Sequence, residues 1–580
     1  MARFAIGERD FLLDGEPHRV LAGALHYFRV HPDQWADRIE KARRMGLNAI
    51  ETYVAWNAHE PVRGSFATDG ALDLDRFLRL IGEAGMHAIV RPGPYICAEW
   101  DSGGLPAWLF RRPGIRLRSA EPGWLAEIDA YLDHVLPIVA PLQIDRGGPV
   151  ILLQVENEYG AYGDDTAYLE HLVRRYRGGG ITVPLTTVDQ PTDDMLERGR
   201  VDGALLTGSF GSRVPERLAT LRQHQPTGPL MCSEFWDGWF DHWGEHHHTT
   251  SAEDAAASLD ELLAAGASVS IYMFHGGTDF GFTNGANHKG AYKSHVTSYD
   301  YDAPLDETGW ATPKFRAFRD VIRRYAPVPE EDVPTAPAAP ALTAAFDRTV
   351  ALSAVADRLG EELGPFDAPP AFDDVEHPRG FGIYAAPLDG RSGVLVVGAV
   401  RDRAQVLVDG VPVGVLERDR HDHALRIPAG RRLELLVEDR GRVNYGDRLG
   451  EPKGLLGPVT LDGLPVTGWT VRPLRLDRLT AADLGDAAGT DAGAAFSIAS
   501  FDLDAPADLH LDTTHWGKGV AWVNGFHLGR YWARGPQHTL FVPGTQLVAG
   551  TNELVVLELH GFRDPAVRFV PRPLLGQVEE

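Results

Sequence analysis

In the first half of the chain, apolar residues come as short unbroken runs, each followed by a stretch in which they recur every three or four positions. "RVLAGALHYF" precedes "PDQWADRIEKARRMG"; "NAIETYVAW" precedes "LDRFLRLIGEAGM". "HAIVRPGPYI" leads through a long loop to "GWLAEIDAYLDHVLPIVAPLQ", and "PVILLQVENE" leads to "TAYLEHLVRRYR". "VPLTTVD" and "GALLTGSF" are weaker fifth and sixth runs, with no helix read after either. "GPLMCSEFW" precedes "SAEDAAASLDELLAAG", and "ASVSIYMFHGG" precedes a long loop and "PKFRAFRDVIRRYA". Unbroken apolar runs predict parallel strands covered on both faces, and the 3.6-residue repeats predict amphipathic helices. Eight such units predict an N-terminal (β/α)8 TIM barrel with large loop insertions over residues 1–327. The alternative, a doubly wound sheet, usually carries a Gly-rich turn after its first strand, and here that strand ends "HYFRV".

The pattern changes after the barrel. Residues 328–345 are rich in Pro and Ala and read as a semi-rigid linker. Beyond them strands and turns alternate. "VLVDGVPVGVL" and "AWVNGFHLGRYW" set Asp-Gly and Asn-Gly between apolar runs, a strong hairpin signal. Both share Val-(Asp/Asn)-Gly-x-x-x-Gly, at Val408–Gly414 and Val523–Gly529. This predicts two β-sandwich, jelly-roll-like domains at 346–480 and 481–580, with the boundary near Leu474–Asp486.

Composition narrows the partners. A net charge of −25 repels phosphate backbones, so nucleic acid is not an expected partner. Two cysteines, Cys97 and Cys232, exclude a disulfide framework and read as small buried hydrophobes. No run reaches the length of a membrane span and the N-terminus lacks a leader-like apolar core, so the expected location is cytoplasmic, without membrane contact.

Barrel enzymes carry their chemistry at the C-terminal ends of the strands. The second strand ends near Tyr53, Trp56, Asn57, His59 and Glu60, and the third near Tyr95, Glu99 and Trp100. The fourth ends in Glu156, Asn157 and Glu158, and the seventh in Glu234, Phe235 and Trp236. The eighth leads to Tyr272, His275 and a loop with Tyr299 and Tyr301. Carboxylates, amides and aromatic rings together suit a sugar, and cleaving a glycosidic bond usually takes two carboxyl groups. Side-chain alternation predicts that Glu156 and Glu158 point the same way, so spacing leaves open which of them faces Glu234.

"LLQVENEYGAYG", "RPGPYICAEWDSGGLPAWL", "TYVAWNAHEP" and "SYDYDAPLDETG" together resemble the family 35 glycoside hydrolases, the β-galactosidases that include the lysosomal enzyme. The resemblance covers most of Phe4–Tyr325, and the β-rich C-terminal half fits it, with 481–580 implied to be a galactose-binding-like domain. It implies Glu158 as acid/base, Glu234 as nucleophile, Asn157 on the sugar's 2-hydroxyl, and Glu156 as a supporting carboxylate. It also implies a galactose pocket from Tyr53, Cys97, Ala98, Glu99, Tyr299 and Tyr301, with Trp236 beside it. Two departures stand out. Trp236 replaces the Tyr that follows "SEF" in lysosomal-type members, and Phe282 replaces a sugar-contacting Tyr.

The expected activity is therefore that of a retaining exo-β-galactosidase acting on a β-galactoside by double displacement, without cofactor or metal. A β-glycosidase with another sugar preference and a non-catalytic galactoside-binding protein are the rival readings. "GEHHHTT" at His246–His248 is not expected to bind metal, because adjacent loop residues rarely converge on one ion. His26 and His59 are candidates for lining the pocket or for orienting its neighbours. Trp516, Trp522 and Trp532 read as sandwich core. A homo-oligomer is compatible with the β domains.

Overall fold

The computed structural model describes residues 2–333, 336–487, 489 and 492–578. All eight apolar runs are strands: β1 (Leu21–Leu25), β2 (Ala49–Tyr53), β3 (His87–Arg91), β4 (Val150–Gln154), β5 (Leu185–Asp189), β6 (Ala204–Ser209), β7 (Met231–Trp236) and β8 (Ser268–His275). Each pairs parallel with the next, and β8 pairs with β1, closing a barrel. Burial on both faces explains the unbroken apolar runs.

The expected helices form as α1 (Trp35–Met45), α2 (Leu74–Glu83), α3 (Pro122–Val139), α4 (Thr166–Gly178), α7 (Ala252–Ala264) and α8 (Pro313–Ile322). Asp73, Asp165 and Ser251 cap α2, α4 and α7 by accepting from backbone N–H groups of the first turn. Two further helices, α5 (Asp193–Gly199) and α6 (Val214–His224), were not expected. The first is too short to show a period. The second buries only Val214, Leu218 and Leu221, and its clearest mark is Pro215 in the first turn.

The C-terminal half forms two β-sandwich domains. The first packs a six-stranded against a four-stranded sheet around Tyr384, Val406, Leu435 and Trp469. The second is built on a nine-stranded sheet. The order along the chain departs from the one expected. Leu342–Ala351, which straddles the linker and the start of the first sandwich, pairs with Ala495–Leu503 and Ala566–Val570 of the second. The first sandwich is thus set between strands of the second. Alternating exposure along 342–348 and small side chains hide this strand among Pro/Ala-rich residues. The near end of the same stretch also packs on the barrel, where Arg319 Nη2 donates to the carbonyls of Pro329 and Glu331.

Both hairpins form. Asp409-Gly410 and Asn524-Gly525 are two-residue turns, and all four residues have positive φ, as a type I′ turn requires. Trp516 and Trp522 are sandwich core, while Trp532 lies under Lys518 and Arg534. Among the described residues, no helix is long and apolar enough to cross a membrane.

Candidate active site

Strand register brings the key side chains together. Tyr53 at the end of β2 is the ladder partner of Arg91 at the end of β3, and Glu234 on β7 pairs with Ser209 at the end of β6. Glu234 consequently sits in a cage of donors. Its Oε1 accepts from Tyr53 Oη at 2.8 Å and from Arg91, and its Oε2 accepts from Ser209 Oγ at 3.0 Å. Trp236 Nε1 lies 3.4 Å from the same Oε2. The Tyr53 ring lies 4.1 Å from the Arg91 guanidinium, which also donates to Glu51 at 3.0 Å. Arg91 donates to Asn157 Oδ1 as well, which lies 3.2 Å from Tyr53 Oη.

Glu158 has a different environment. Its Oε1 is buried with no hydrogen-bond partner. Burial pushes its carboxyl up to about 7, and the nearby Glu234 charge adds to the rise, against the pull of Ser209 and Arg91. Both carboxyls border one pocket of about 150 Å³.

Glu156 and Glu158 do not point the same way. β4 stops at Gln154, and the chain then turns, with left-handed φ of +59° at Glu156 and +42° at Glu158. Alternation holds only while the backbone is extended. Glu156 turns instead onto Arg118, which binds both its oxygens at 3.1 and 2.9 Å, and it also accepts from Tyr168 Oη at 2.7 Å. The same Arg118 donates to the Asn157 carbonyl at 2.6 Å, so the ion pair fixes the turn that aims Glu158.

Opposite, Cys97, Ala98 and Glu99 are three successive residues with φ of +56°, +54° and +50°. For residues with a Cβ this costs roughly 1–2 kcal/mol each, and such strain gathers at functional sites. Arg29 holds the turn by donating to the Ala98 carbonyl at 2.5 Å, while the Gly285 N–H donates to Glu99 O at 2.8 Å. Burial lifts the Glu99 carboxyl to about 7, opposed by the hydrogen bond from Tyr299.

The profile of the glycosyl hydrolases family 35 matches residues 10–325. The chain belongs to this family. Residues 369–475 and 494–552 match the profiles described as the first all-beta domain and the galactose-binding domain of beta-galactosidase. Among curated relatives, the beta-galactosidase of Felis catus is 42% identical over 98% of this chain and 91% of its own length. That of Macaca fascicularis is 42% identical over 99% and 90%, and that of Homo sapiens 42% over 98% and 90%.

Of the residues the family resemblance singled out, Tyr53, Cys97, Ala98, Glu99 and Asn157 line the pocket with the two glutamates. Trp236 and Tyr301 complete that wall. Tyr299 stands one layer behind: its hydroxyl donates to Glu99, and its ring lies 3.8 Å from the Arg29 guanidinium. Phe282 is not at this pocket. It packs against Phe381 and His527 in the core between the barrel loop and the sandwiches, so no hydroxyl is missing from the sugar's side. His26 lies beneath Tyr53 and Tyr272, and His59 accepts or donates to Tyr27 at 2.5 Å; neither borders the pocket. His247 and His248 both face Asp241, at 2.7 and 3.0 Å.

Several lining or supporting groups were not singled out. Arg91 and Ser209 had a usable signal, a polar residue closing an apolar strand run. Tyr445 had none. It comes from the first sandwich, on a loop held by Tyr95 Oη donating to Asn444 O at 2.6 Å and by the Arg442 N–H donating to Asp101 Oδ1 at 2.7 Å.

Two predictions arise from this arrangement. Arg91→Ala leaves Glu51 and Glu234 buried without their cation, and thermal or denaturant unfolding is expected to show a loss of about 3–5 kcal/mol. Gly276 is a close-approach position: a Cβ there stands 1.6 Å from the Tyr299 carbonyl oxygen. Gly276→Ala should push the loop bearing Tyr299 and Tyr301 off the pocket. Steady-state assays should register about a 10²-fold fall in kcat/KM, the scale of an ångström-level misplacement.

Proposed function

We propose that this family 35 member is a retaining exo-β-galactosidase, with Glu234 as nucleophile and Glu158 as acid/base. The observation that carries the proposal is the unlike environment of two carboxyls on one pocket. Glu234 is surrounded by cationic and hydroxyl donors, while Glu158 has a desolvated oxygen and a carboxyl raised to about 7. The names of the relatives support galactose over other sugars. A pocket close to the size of one sugar ring supports release of a terminal residue.

In the first step Glu234 attacks the anomeric carbon as the bond to the leaving oxygen breaks, and Glu158 gives that oxygen its proton. The product is a galactosyl ester on Glu234. Esterification removes the charge that helped raise the Glu158 pKa, so Glu158, ionised on giving up its proton, stays ionised until it takes a proton from the attacking water. The water oxygen attacks the anomeric carbon and the ester bond breaks. Two inversions retain the β configuration. Asn157 suits a contact to the 2-hydroxyl, and Glu99 suits a hydroxyl on the far side of the ring. Time-resolved NMR of an aryl β-galactoside tests the reading. β-Galactose should appear first and mutarotate later; α-galactose as first product, or no hydrolysis, counts against it.

A further inference from the structure

The chain has six lysines. Five of them pair with acids: Lys41 with Asp37, Lys293 with Glu245, Lys314 with Asp302, Lys453 with Asp402 and Lys518 with Glu438. Lys289 is the sixth. Among the described residues it makes no ion pair or hydrogen bond, it is exposed, and it borders the pocket of Glu158 and Glu234. In so acidic a chain an unpaired ammonium at that position calls for a partner from outside.

Its position is built. Lys289 sits at the tip of a hairpin formed by Ala286–His288 and Tyr292–Ser294. Both arms are held close to that tip, where Tyr292 pairs with His288. Tyr292 Oη donates to the Gly441 carbonyl at 2.7 Å and lies 3.0 Å from Asp402 Oδ2, and Asn287 Oδ1 meets His242 Nε2 at 3.2 Å. The tip is therefore anchored where Lys289 borders the pocket. The adjacent His288 lies in the field of Arg448 and Arg418, partly offset by Glu451, with which both arginines pair. Of the deeper carboxyls, Glu234 is paired with Arg91, and Glu158 must carry a proton to act.

The mouth is also where a leaving group must lie. The buried end of the pocket, with Tyr53, Asn157 and Glu234, is the galactosyl end. Half-buried Tyr445 borders the same pocket as the proton donor and feels the Glu158 charge. We infer that Lys289 forms the charged part of a leaving-group subsite, which favours β-galactosides whose leaving group bears an anionic substituent such as the carboxylate of a sugar acid. This rests on the β-galactosidase reading above. An ammonium on a flexible stem recognises charge rather than shape. At an exposed mouth the interaction is modest and screened by salt.

The test compares kcat/KM for 3-carboxyumbelliferyl and 4-methylumbelliferyl β-galactosides in the wild type, Lys289→Gln and Lys289→Glu. Taking the ratio of the two substrates within each protein, and then comparing proteins, cancels the difference in leaving-group acidity. The carboxylated-to-neutral ratio should fall about two- to fivefold in Lys289→Gln. It should fall further in Lys289→Glu, and the wild-type preference should shrink as ionic strength rises to about 0.5 M. One ratio shared by all three proteins overturns the Lys289 subsite and leaves the galactosidase reading standing. Failure of the wild type to cleave either substrate overturns both.

Discussion

Glu234→Gly is expected to abolish hydrolysis of every β-galactoside, with kcat falling by roughly 10⁴-fold or more, the scale on which removing a covalent nucleophile acts. The expectation follows from how the side chain is held. Tyr53, Arg91 and Ser209 all donate to it, so the side chain is fixed in direction. No neighbour can substitute. Glu51 is held beneath it by Arg91, and burial keeps the Glu51 carboxyl up at about 7. Glycine leaves a hole on the face from which the nucleophile attacked, and azide can enter it. With an activated aryl galactoside, azide should restore turnover and give α-galactosyl azide, the product of a single inversion, identified by NMR. Rescue that yields the β-azide would place the nucleophile elsewhere. Glu234→Gln separates charge from shape: it keeps the size of the side chain and should be as inactive as the glycine variant, without azide rescue.

The barrel was legible because its strands are buried on both faces, so composition alone marks them. The site was legible for a related reason. A carboxylate that closes an otherwise apolar strand, as Glu234 does, conflicts with burial unless a ligand or a cation compensates. What stayed hidden was set by backbone geometry or by distant contacts. Glu156 and Glu158 are two residues apart, yet left-handed turns send one to Arg118 and the other to the pocket. Leu342–Ala351 shows no sign in its own residues that its partners lie about 150 residues or more downstream. Tyr445 reaches the pocket only because the first sandwich docks on the barrel through Asn444 and Arg442. Phe282 illustrates the reverse. Its place in a family pattern suggested the sugar, whereas packing against Phe381 and His527 puts it in the core.

Glu158→Gln should divide substrates by how much help their leaving groups need. An alkoxide leaving group, as in a galactosyl disaccharide, cannot depart without a proton, and losing a general acid costs about 10²–10⁴-fold. A dinitrophenolate departs unaided, so kcat/KM for 2,4-dinitrophenyl β-galactoside, which reports the first step, should fall less than about tenfold. Its kcat should fall much more, because the galactosyl ester then waits for a base that is no longer there. The pH profile gives a second, independent reading. With its carboxyl raised to about 7, Glu158 is protonated below that pH and ionised above it. Wild-type kcat/KM on the disaccharide should therefore decline as pH rises through about 7, and Glu158→Gln should lack that limb. Azide should speed Glu158→Gly on the dinitrophenyl substrate and give β-galactosyl azide, because Glu234 still performs the first inversion. Equal losses on both substrates, with the alkaline limb intact, would take the acid role away from Glu158.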